Sequence, residues 1–233
     1  NYEDYLLSLE MKGEIAAFKE PHIARISQLT NKSNQFNLTT LRCTEEDIVK
    51  MAGSPEYVTL YGRLIDRFGD NGLVSVEAAK IGCVGELLKD ELGVEIFDAS
   101  EDTPGTAAGQ AAGAGCASGL SGEPGAAKDS ADASAGNSES ASALIILNLM
   151  SCRVLKRDME VAMLDELAVA CAAKGVKRLY GVYLPTKKNA MVKELYGELG
   201  FTLTAESEGV SLWRLELEGY EKRCKVIDLK EKL

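Results

Sequence analysis

Residues 143–201 read ALIILNLMSCRVLKRDMEVAMLDELAVACAAKGVKRLYGVYLPTKKNAMVKELYGELGF, and they contain the strongest signals for secondary structure in the chain. The apolar run 143–150 predicts a buried strand, and 178–184 predicts a second strand. Apolar residues at helical spacing predict a helix that covers 159–167. A further helix is predicted at 189–199, where a glycine closes it. The order strand, turn, helix, strand, helix indicates an α/β (α+β) domain.

The charged turn between the first strand and the first helix is a candidate phosphate site. It runs from Ser151 to Asp158 and carries Arg153, Lys156 and Arg157. A helix N-terminus that follows a strand offers free backbone N–H groups to a phosphate. Binding of a phosphorylated cofactor is therefore the first chemistry to test at this turn.

The same turn resembles the pyrophosphate turn of the GNAT acyltransferases, whose pattern is Q/R-x-x-G-x-G/A. Arg153-Val-Leu-Lys156-Arg-Asp158 aligns with that pattern, but Lys156 and Asp158 stand where it has glycine and glycine or alanine. Glycine lets the backbone approach a phosphate closely. An aspartate is instead expected to cap the helix and to place a negative charge there. The resemblance implies phosphate contacts from Arg153, Lys156 and Arg157, and the two replacements predict that CoA binds weakly.

A second GNAT signature follows the second strand, as Asn189, Tyr196 and then Gly-Phe at 200–201. The resemblance implies that Asn189 binds the cofactor and that Tyr196 is a general acid for a leaving thiolate. A tyrosine packed on a helix face is the alternative. Cys152 is a second catalytic candidate, because the adjacent arginine of the turn would lower the pKa of its thiol. A buried, inert thiol is the alternative there.

Longer matches resemble the C-terminal domain of FkbH-like proteins. They lie in the same order along the chain, at 27–40, 66–74, 149–154 and 184–189. Full-length members resemble a HAD phosphatase joined to a GNAT-like domain, and they are associated with moving a glyceryl group from a phosphorylated three-carbon donor to an acyl carrier protein. The resemblance implies two partners: an acyl carrier protein, which would present its phosphopantetheine, and the HAD phosphatase domain of the same polypeptide.

The first of these matches is rich in amides. Asn34, Gln35 and Asn37 surround Phe36, and such a group can hydrogen-bond a polar ligand such as a pantetheine amide. The same amides can equally organise a loop after a helix. We expect Asn34, Gln35 and Asn37 to contribute to ligand binding.

The resemblance and the composition together predict the domain organisation. Residues 1–10 resemble the segment that joins the two parts of an FkbH-like protein and are expected to form a linker. Residues 11–233 are expected to form the GNAT-like domain, a mixed and mostly antiparallel sheet flanked by helices. The Ala/Gly/Ser-rich residues 99–143 lack core-forming side chains and are expected to be a disordered insertion. A hairpin turn is predicted at residues 71–72, which are Asn-Gly.

Composition excludes several classes of protein. The net charge is −10, and basic residues are not interleaved with aromatic ones, which argues against nucleic-acid binding. No apolar run approaches the length of a membrane helix, so we expect a cytoplasmic domain without a membrane span. The six cysteines contain no C-x-x-C pair and the single histidine is His22, so we expect neither a metal site nor a disulfide framework.

These features predict a GNAT-like domain that takes part in glyceryl or acyl transfer to an acyl carrier protein. Two alternatives stay open: a non-catalytic module that binds the carrier, and an acetyl-CoA-dependent N-acetyltransferase. Whether the domain catalyses a reaction is left open by the sequence. A basic face that includes Lys187, Lys188 and Lys193 is expected to meet the acidic carrier, and a merely solvated surface is the alternative.

Overall fold

The computed structural model describes residues 1–95 and 141–229 of the 233 residues. The insertion predicted at 99–143 lies outside the described residues except for its last three positions. Of these, Ser142 and Ala143 already belong to a strand.

The strands of the described residues form one mixed sheet. In chain order they are β1 (Met11–Ala16), β2 (Tyr57–Asp66), β3 (Gly69–Ile81), β4 (Ser142–Met150), β5 (Arg178–Tyr183), β6 (Thr202–Ser207), β7 (Val210–Glu216) and β8 (Ile227–Leu229). They lie side by side in the order β6–β7–β5–β4–β3–β2–β1–β8. Among these strands β4–β5 and β1–β8 are the parallel pairs, and the other neighbours are antiparallel. The predicted mixed, mostly antiparallel sheet is confirmed.

Helices cover both faces of this sheet. They are α1 (Tyr2–Ser8), α2 (Ile23–Lys32), α3 (Glu45–Gly53), α4 (Val84–Leu92), α5 (Met159–Ala173) and α6 (Leu195–Glu198), with short 3₁₀ turns at Glu20–His22, Cys152–Val154 and Ala190–Val192. One apolar cluster joins α1, α5 and α6 to the sheet, and a second joins α2, α3 and α4 to it. The packing of α5 is close, since a Cβ added at Gly62 of β2 would come within 2.2 Å of the Met159 Cε atom.

The β2–β3 hairpin turns earlier than residues 71–72, where the sequence predicted the turn. Asp66 pairs with Gly69, so only two residues form the connection. The Asp66 carboxylate accepts hydrogen bonds from the Phe68 N–H at 2.8 Å and from the Asn71 side chain at 3.0 Å. An aspartate that binds its own backbone two residues ahead stabilises a turn at that point. This local hydrogen bonding outweighs the Asn-Gly preference.

The helix predicted at 189–199 is also different in the structure. It is divided into the 3₁₀ turn Ala190–Val192 and the short helix α6. Asn189 makes no capping hydrogen bond to the turn that follows it, because its side chain binds the preceding loop at Thr186. The Asn189 side chain is therefore not available to cap a helix, and the predicted continuous helix does not form.

Residues 1–10, expected to form a linker, are packed into the domain. Residues Tyr2–Ser8 form α1, and the Asn1 side chain caps it by accepting the Glu3 N–H. Leu6 and Leu9 are buried in the cluster that α5 shares. Burial of a leucine side chain stabilises a fold by roughly 1.5–3 kcal/mol. The helix α1 is thus a structural part of the folded domain.

Residues 217–226, which we call the C-terminal strap, lie along α5 between β7 and β8. Asp165 of α5 holds the strap. Its carboxylate accepts the Tyr220 hydroxyl at 2.7 Å and the backbone N–H groups of Arg223 and Cys224 at 2.8 Å each. Asp165 is only 1% exposed, so these bonds satisfy a carboxylate that would otherwise be buried without partners.

Asp165→Asn is therefore expected to lower the free energy of unfolding by about 1–2 kcal/mol, because neutral bonds replace charge-assisted ones. Urea unfolding checks this value. Glu166→Gln is the matched control, since Glu166 binds Lys222 of the strap at a more exposed position. An Asp165→Asn effect no larger than that of the control would show that the strap is not held in this way.

Candidate functional site

The strands β4 and β5 diverge toward their carboxyl ends and open a crevice. Their pairing runs only as far as Ile145 and Gly181, and the described remainder of each strand is unpaired with the other. Beyond the crevice, β4 leads through the turn 151–158 into α5, and β5 leads into the loop 184–189. In open α/β sheets, ligands bind at such switch points outside the carboxyl ends of strands, next to a helix N-terminus. This crevice is the candidate site.

Residues 36–38, which we call the crevice segment, lie between the diverging strands. The Leu38 N–H donates to the Asn148 carbonyl of β4, and the Met150 N–H donates to the first carbonyl of the segment, both at 3.0 Å. On the opposite side, the Leu184 N–H donates to the last carbonyl of the segment at 2.8 Å. The crevice segment thus takes the place of a short strand. Backbone groups that a ligand would use on β4 are already bonded within the chain.

Asn189, expected to bind a cofactor, joins the crevice segment to the loop after β5. Its side-chain N–H groups donate to the carbonyls of Asn37 and Leu184, each at 2.9 Å. Its side-chain oxygen accepts the Thr186 N–H at 2.7 Å. Asn189 is fully buried. Its hydrogen-bonding groups are satisfied within the chain, so its role in this structure is to hold the crevice segment.

The amides before and within the crevice segment have the same structural use. The buried Asn37 donates to a carbonyl in the preceding turn, and its side-chain oxygen accepts the Thr40 N–H at 2.9 Å. Asn34 accepts a hydrogen bond from Arg42 at 2.7 Å. Gln35 is exposed. Of the two roles that the sequence allowed, the structure shows loop organisation for Asn34 and Asn37, whereas Gln35 is accessible to a ligand.

The turn before α5 keeps the backbone conformation of a glycine turn, although it has no glycine. Lys156 and Asp158 have φ angles of 60° and 58°, in the left-handed region that favours glycine. Asp158 was predicted to cap α5, but its side chain makes no capping hydrogen bond. A capping residue has an extended backbone that aims its side chain at the helix N–H groups, and a left-handed residue does not. The two side chains therefore replace glycine at a cost in strain.

The basic residues of the turn differ in their availability. Arg157 forms an ion pair with Asp66, whose side chain is 2% exposed. Arg153 is exposed and its Nε donates to the Ser151 hydroxyl at 3.3 Å. Lys156 is also exposed. Of the three phosphate contacts that the sequence predicted, the structure thus leaves Arg153 and Lys156 accessible and commits Arg157 to the buried carboxylate.

The turn is covered from two sides by other parts of the chain. The Tyr2 hydroxyl of α1 donates to the Lys156 carbonyl. The Cys224 thiol of the C-terminal strap lies 3.9 Å from the Asp158 carbonyl. These contacts place α1 and the strap next to the N-terminus of α5, where a pyrophosphate would have to approach.

Carboxylates gather at the same helix end. Burial, and then Glu3, raise the pKa of Asp158 above its usual value. Burial is also the largest cause that raises the pKa of Glu160, with further contributions from Asp158 and Glu198. The buried Oε2 atom of Glu160 has no hydrogen-bond partner in residues 1–95 and 141–229. Negative charges this close to a helix N-terminus oppose the binding of a pyrophosphate there.

Tyr196, the predicted general acid, is fully buried. It lies next to the inner end of the crevice, where the pairing of β4 with β5 stops at Gly181. Its ring covers Gly181, where an added Cβ would come within 2.4 Å of a ring atom. The Asn148 side chain lies beside its hydroxyl, yet this hydroxyl makes no hydrogen bond within the described part of the chain. Burial, and then Glu77, raise the pKa of Tyr196. With the crevice filled, the hydroxyl is inaccessible to a leaving thiolate.

Glu77 of β3 is a residue of this region that sequence reasoning missed. It is 2% exposed, and burial raises its pKa to about 8. Its Oε2 atom is another buried oxygen for which residues 1–95 and 141–229 supply no hydrogen-bond partner. The carboxyl group raises the pKa values of both Tyr196 and Cys171, so it lies near both. The one sequence signal that could have identified Glu77 is its position as a single carboxylate within the apolar run of β3.

Cys152, the second catalytic candidate, lies at the surface. It is exposed at the start of the 3₁₀ turn after β4, which excludes a buried thiol. The neighbouring Arg153 directs its Nε toward the Ser151 hydroxyl. Cys152 at the surface and Tyr196 in the core therefore do not share an environment in this structure.

No group of three or more histidine, cysteine, aspartate or glutamate side chains in residues 1–95 and 141–229 is placed to hold a metal ion. In these ranges no helix combines the length and the apolar character that crossing a membrane requires.

Comparisons with known proteins identify the architecture. No protein-family model matches the chain, and no curated protein is similar to it in sequence. The chain is similar in structure to the GNAT domain of PAT from S. lividans, with a TM-score of 0.51, 13% identity, and coverage of 87% of this chain and 89% of that one. It is also similar to Arabidopsis thaliana NAA60 in complex with acetyl-CoA, with a TM-score of 0.52, 13% identity, and coverage of 89% and 100%. At these identities the likeness concerns the fold, and the chain has the GNAT acetyltransferase fold.

Proposed function

We propose that this chain is the GNAT-like domain of an FkbH-like protein and takes part in glyceryl or acyl transfer to an acyl carrier protein. In this role the domain receives the carrier and does not use free acetyl-CoA. A HAD phosphatase domain of the same polypeptide would supply the phosphorylated three-carbon group. The carrier would present its phosphopantetheine arm at the crevice between β4 and β5.

The observation that carries this proposal is that segments distant in the sequence lie together around the crevice. The FkbH-like matches at 27–40, 149–154 and 184–189 include the crevice segment, the end of β4 and the loop after β5. Hydrogen bonds between these segments join all three around the crevice. Residues that bear a family resemblance and converge from separate parts of the chain support a shared function for this crevice.

The loop beside the crevice has the character of a docking surface for an acidic partner. Lys187 and Lys188 are exposed next to the buried Asn189, and neither has a salt bridge to any described residue. Met191, three residues after Lys188, is 56% exposed. Lys193, also predicted to take part, is paired with Glu206 at 3.3 Å. Carrier proteins are acidic as a class, so Lys187 and Lys188 are the better candidates for the contact.

Lys187→Glu combined with Lys188→Glu is expected to weaken binding of a cognate holo-carrier protein about tenfold or more at low salt. The two lysines provide the attraction that steers an acidic partner, and rising ionic strength should weaken the unmodified complex. Titration calorimetry at two salt concentrations measures both effects. Lys12→Glu combined with Lys50→Glu is the control, because it changes the net charge equally at exposed positions on other elements. Equal loss in both double variants, or no loss in either, would contradict the proposed surface.

The acetyl-CoA-dependent N-acetyltransferase remains the second candidate, and the fold itself is the observation that favours it. Arabidopsis thaliana NAA60 has this fold in complex with acetyl-CoA. In our chain the crevice segment and the carboxylates near α5 oppose that activity. Acetyl-CoA affinity separates the two candidates.

A further inference from the structure

We propose that the crevice segment is an autoinhibitory occupant, which leaves the space between β4 and β5 when a carrier's arm enters. The proposal rests on the proposed function, in which the carrier's phosphopantetheine arm binds in this crevice. The closed form described above is then a resting form, and an open form exposes the β4 edge and the Tyr196 hydroxyl.

The first support is backbone strain immediately after the crevice segment. Thr40 has a φ of 58°. A β-branched residue is a genuine outlier in this left-handed region, since its Cβ substituents crowd the backbone. Its conformation is fixed by the Asn37 side chain, whose oxygen accepts the Thr40 N–H. Strain of this kind persists only where surrounding contacts impose it, and it favours the open form.

The second support is a group of unsatisfied polar atoms around the closed crevice. The hydroxyls of Thr39 and Tyr196 and the Oε2 atom of Glu77 are buried without a hydrogen-bond partner among the described residues. Native proteins leave few such atoms, and each weakens the form that buries it. Thr39 is adjacent to the crevice segment, and Tyr196 lies next to the inner end of the crevice. Movement of the segment would open both hydroxyls to water or to a polar ligand.

The third support is the small number of hydrogen bonds that hold the crevice segment. Its backbone bonds to the neighbouring strands are the two with Asn148 and Met150 of β4 and the one with Leu184 after β5. The Asn189 side chain supplies a further bond, to the Asn37 carbonyl. The rest of the sheet on either side is paired independently of these contacts. The Phe36 and Leu38 side chains are also buried in the apolar cluster that α5 shares, so opening withdraws these two side chains while the strands on either side stay paired.

Amide hydrogen exchange on the unmodified chain, without carrier or CoA, tests this proposal. The amides of Leu38, Met150 and Leu184 should exchange at least about tenfold faster than the amides that join β3 to β4, because local opening precedes global unfolding. Since no partner is present, the result is independent of whether a carrier binds. Exchange of these three amides at the rate of global unfolding would overturn the proposal, while the proposed carrier binding would be untouched.

Two variants with matched controls sharpen the test. Thr40→Asn should slow exchange of the three amides about threefold to tenfold, because asparagine tolerates the left-handed conformation. Glu208→Asn, at φ 51° in the β6–β7 turn, should leave them unchanged. Asn189→Ala should speed them, whereas Asn71→Ala, which removes an amide bonded to Asp66, should not. If Asn189→Ala does not fold, the Thr40→Asn comparison decides alone, and equal rates in Thr40→Asn and unmodified protein would contradict the strained resting form.

Discussion

Glu77→Gln is expected to raise the free energy of unfolding at pH 7 by about 3 kcal/mol. Burial raises the pKa of this carboxyl from 4.5 to about 8. Each unit of difference between the folded and unfolded pKa corresponds to about 1.4 kcal/mol. Between pH 4.5 and 8 the unfolded chain releases the proton while the folded chain retains it. Stability of the unmodified protein therefore falls across this window, and glutamine removes that loss.

The pH dependence separates this effect from a simple change in packing. Below pH 4.5 both states of the unmodified protein are protonated, so the variant and the unmodified protein should differ little. The difference should grow up to about pH 8 and stay constant above it. The titratable groups whose pKa values this carboxyl raises, Tyr196 and Cys171, remain neutral throughout this range. They do not add a titration of their own.

Urea unfolding between pH 4 and pH 9 measures the dependence. Glu56→Gln is the matched control, since it exchanges the same carboxyl for an amide at an exposed position. A stability difference between Glu77→Gln and the unmodified protein that is equal at all pH values would show that Glu77 is not held neutral by burial.

The fold was predictable because its signals are local and repeated. The apolar run of β4, the helical spacing in α5 and the tyrosine before Gly-Phe define the central elements, and the solved GNAT structures with TM-scores above 0.5 confirm the resulting architecture. The predictions of the hairpin turn at 71–72 and of a continuous helix at 189–199 were wrong for the same reason. In each case a polar side chain, Asp66 or Asn189, makes tertiary or turn contacts that local propensity does not contain.

The candidate site was less predictable from the sequence, because its main feature is a contact between distant segments. Asn37 and Asn189 were both predicted to be site residues. The hydrogen bond from the Asn189 side chain to the Asn37 carbonyl forms only because the chain returns to β4 after α2. The exposure of Cys152 and the pairing of Arg157 with Asp66 likewise depend on the sheet order. Glu77 carried almost no signal, since its burial is set by α5 and α6.

Acetyl-CoA is expected to bind this chain more weakly than millimolar, or not at all. The crevice segment occupies the β4 edge, and the carboxylates of Asp158 and Glu160 lie at the N-terminus of α5. Two like charges a few ångströms apart repel by about 1–4 kcal/mol, depending on the local dielectric. This repulsion alone corresponds to a loss of roughly ten- to a thousandfold in affinity.

Lys156→Gly combined with Asp158→Gly separates the two causes of this weak binding. Both positions have left-handed backbone, so glycine should relieve strain and raise stability by about 1 kcal/mol or more. Removal of the Asp158 carboxylate should improve binding of ADP, which tests the pyrophosphate turn alone. Acetyl-CoA should gain less than ADP from the same changes, because its arm still meets the crevice segment. An equal gain for both ligands would show that the crevice segment is no obstacle.

Titration calorimetry of acetyl-CoA against the unmodified chain is the decisive measurement, because it asks whether the crevice segment closes the space between β4 and β5 to this ligand. No measurable heat of binding is expected up to millimolar acetyl-CoA. Binding with a micromolar Kd would contradict this expectation and would favour an acetyl-CoA-dependent N-acetyltransferase.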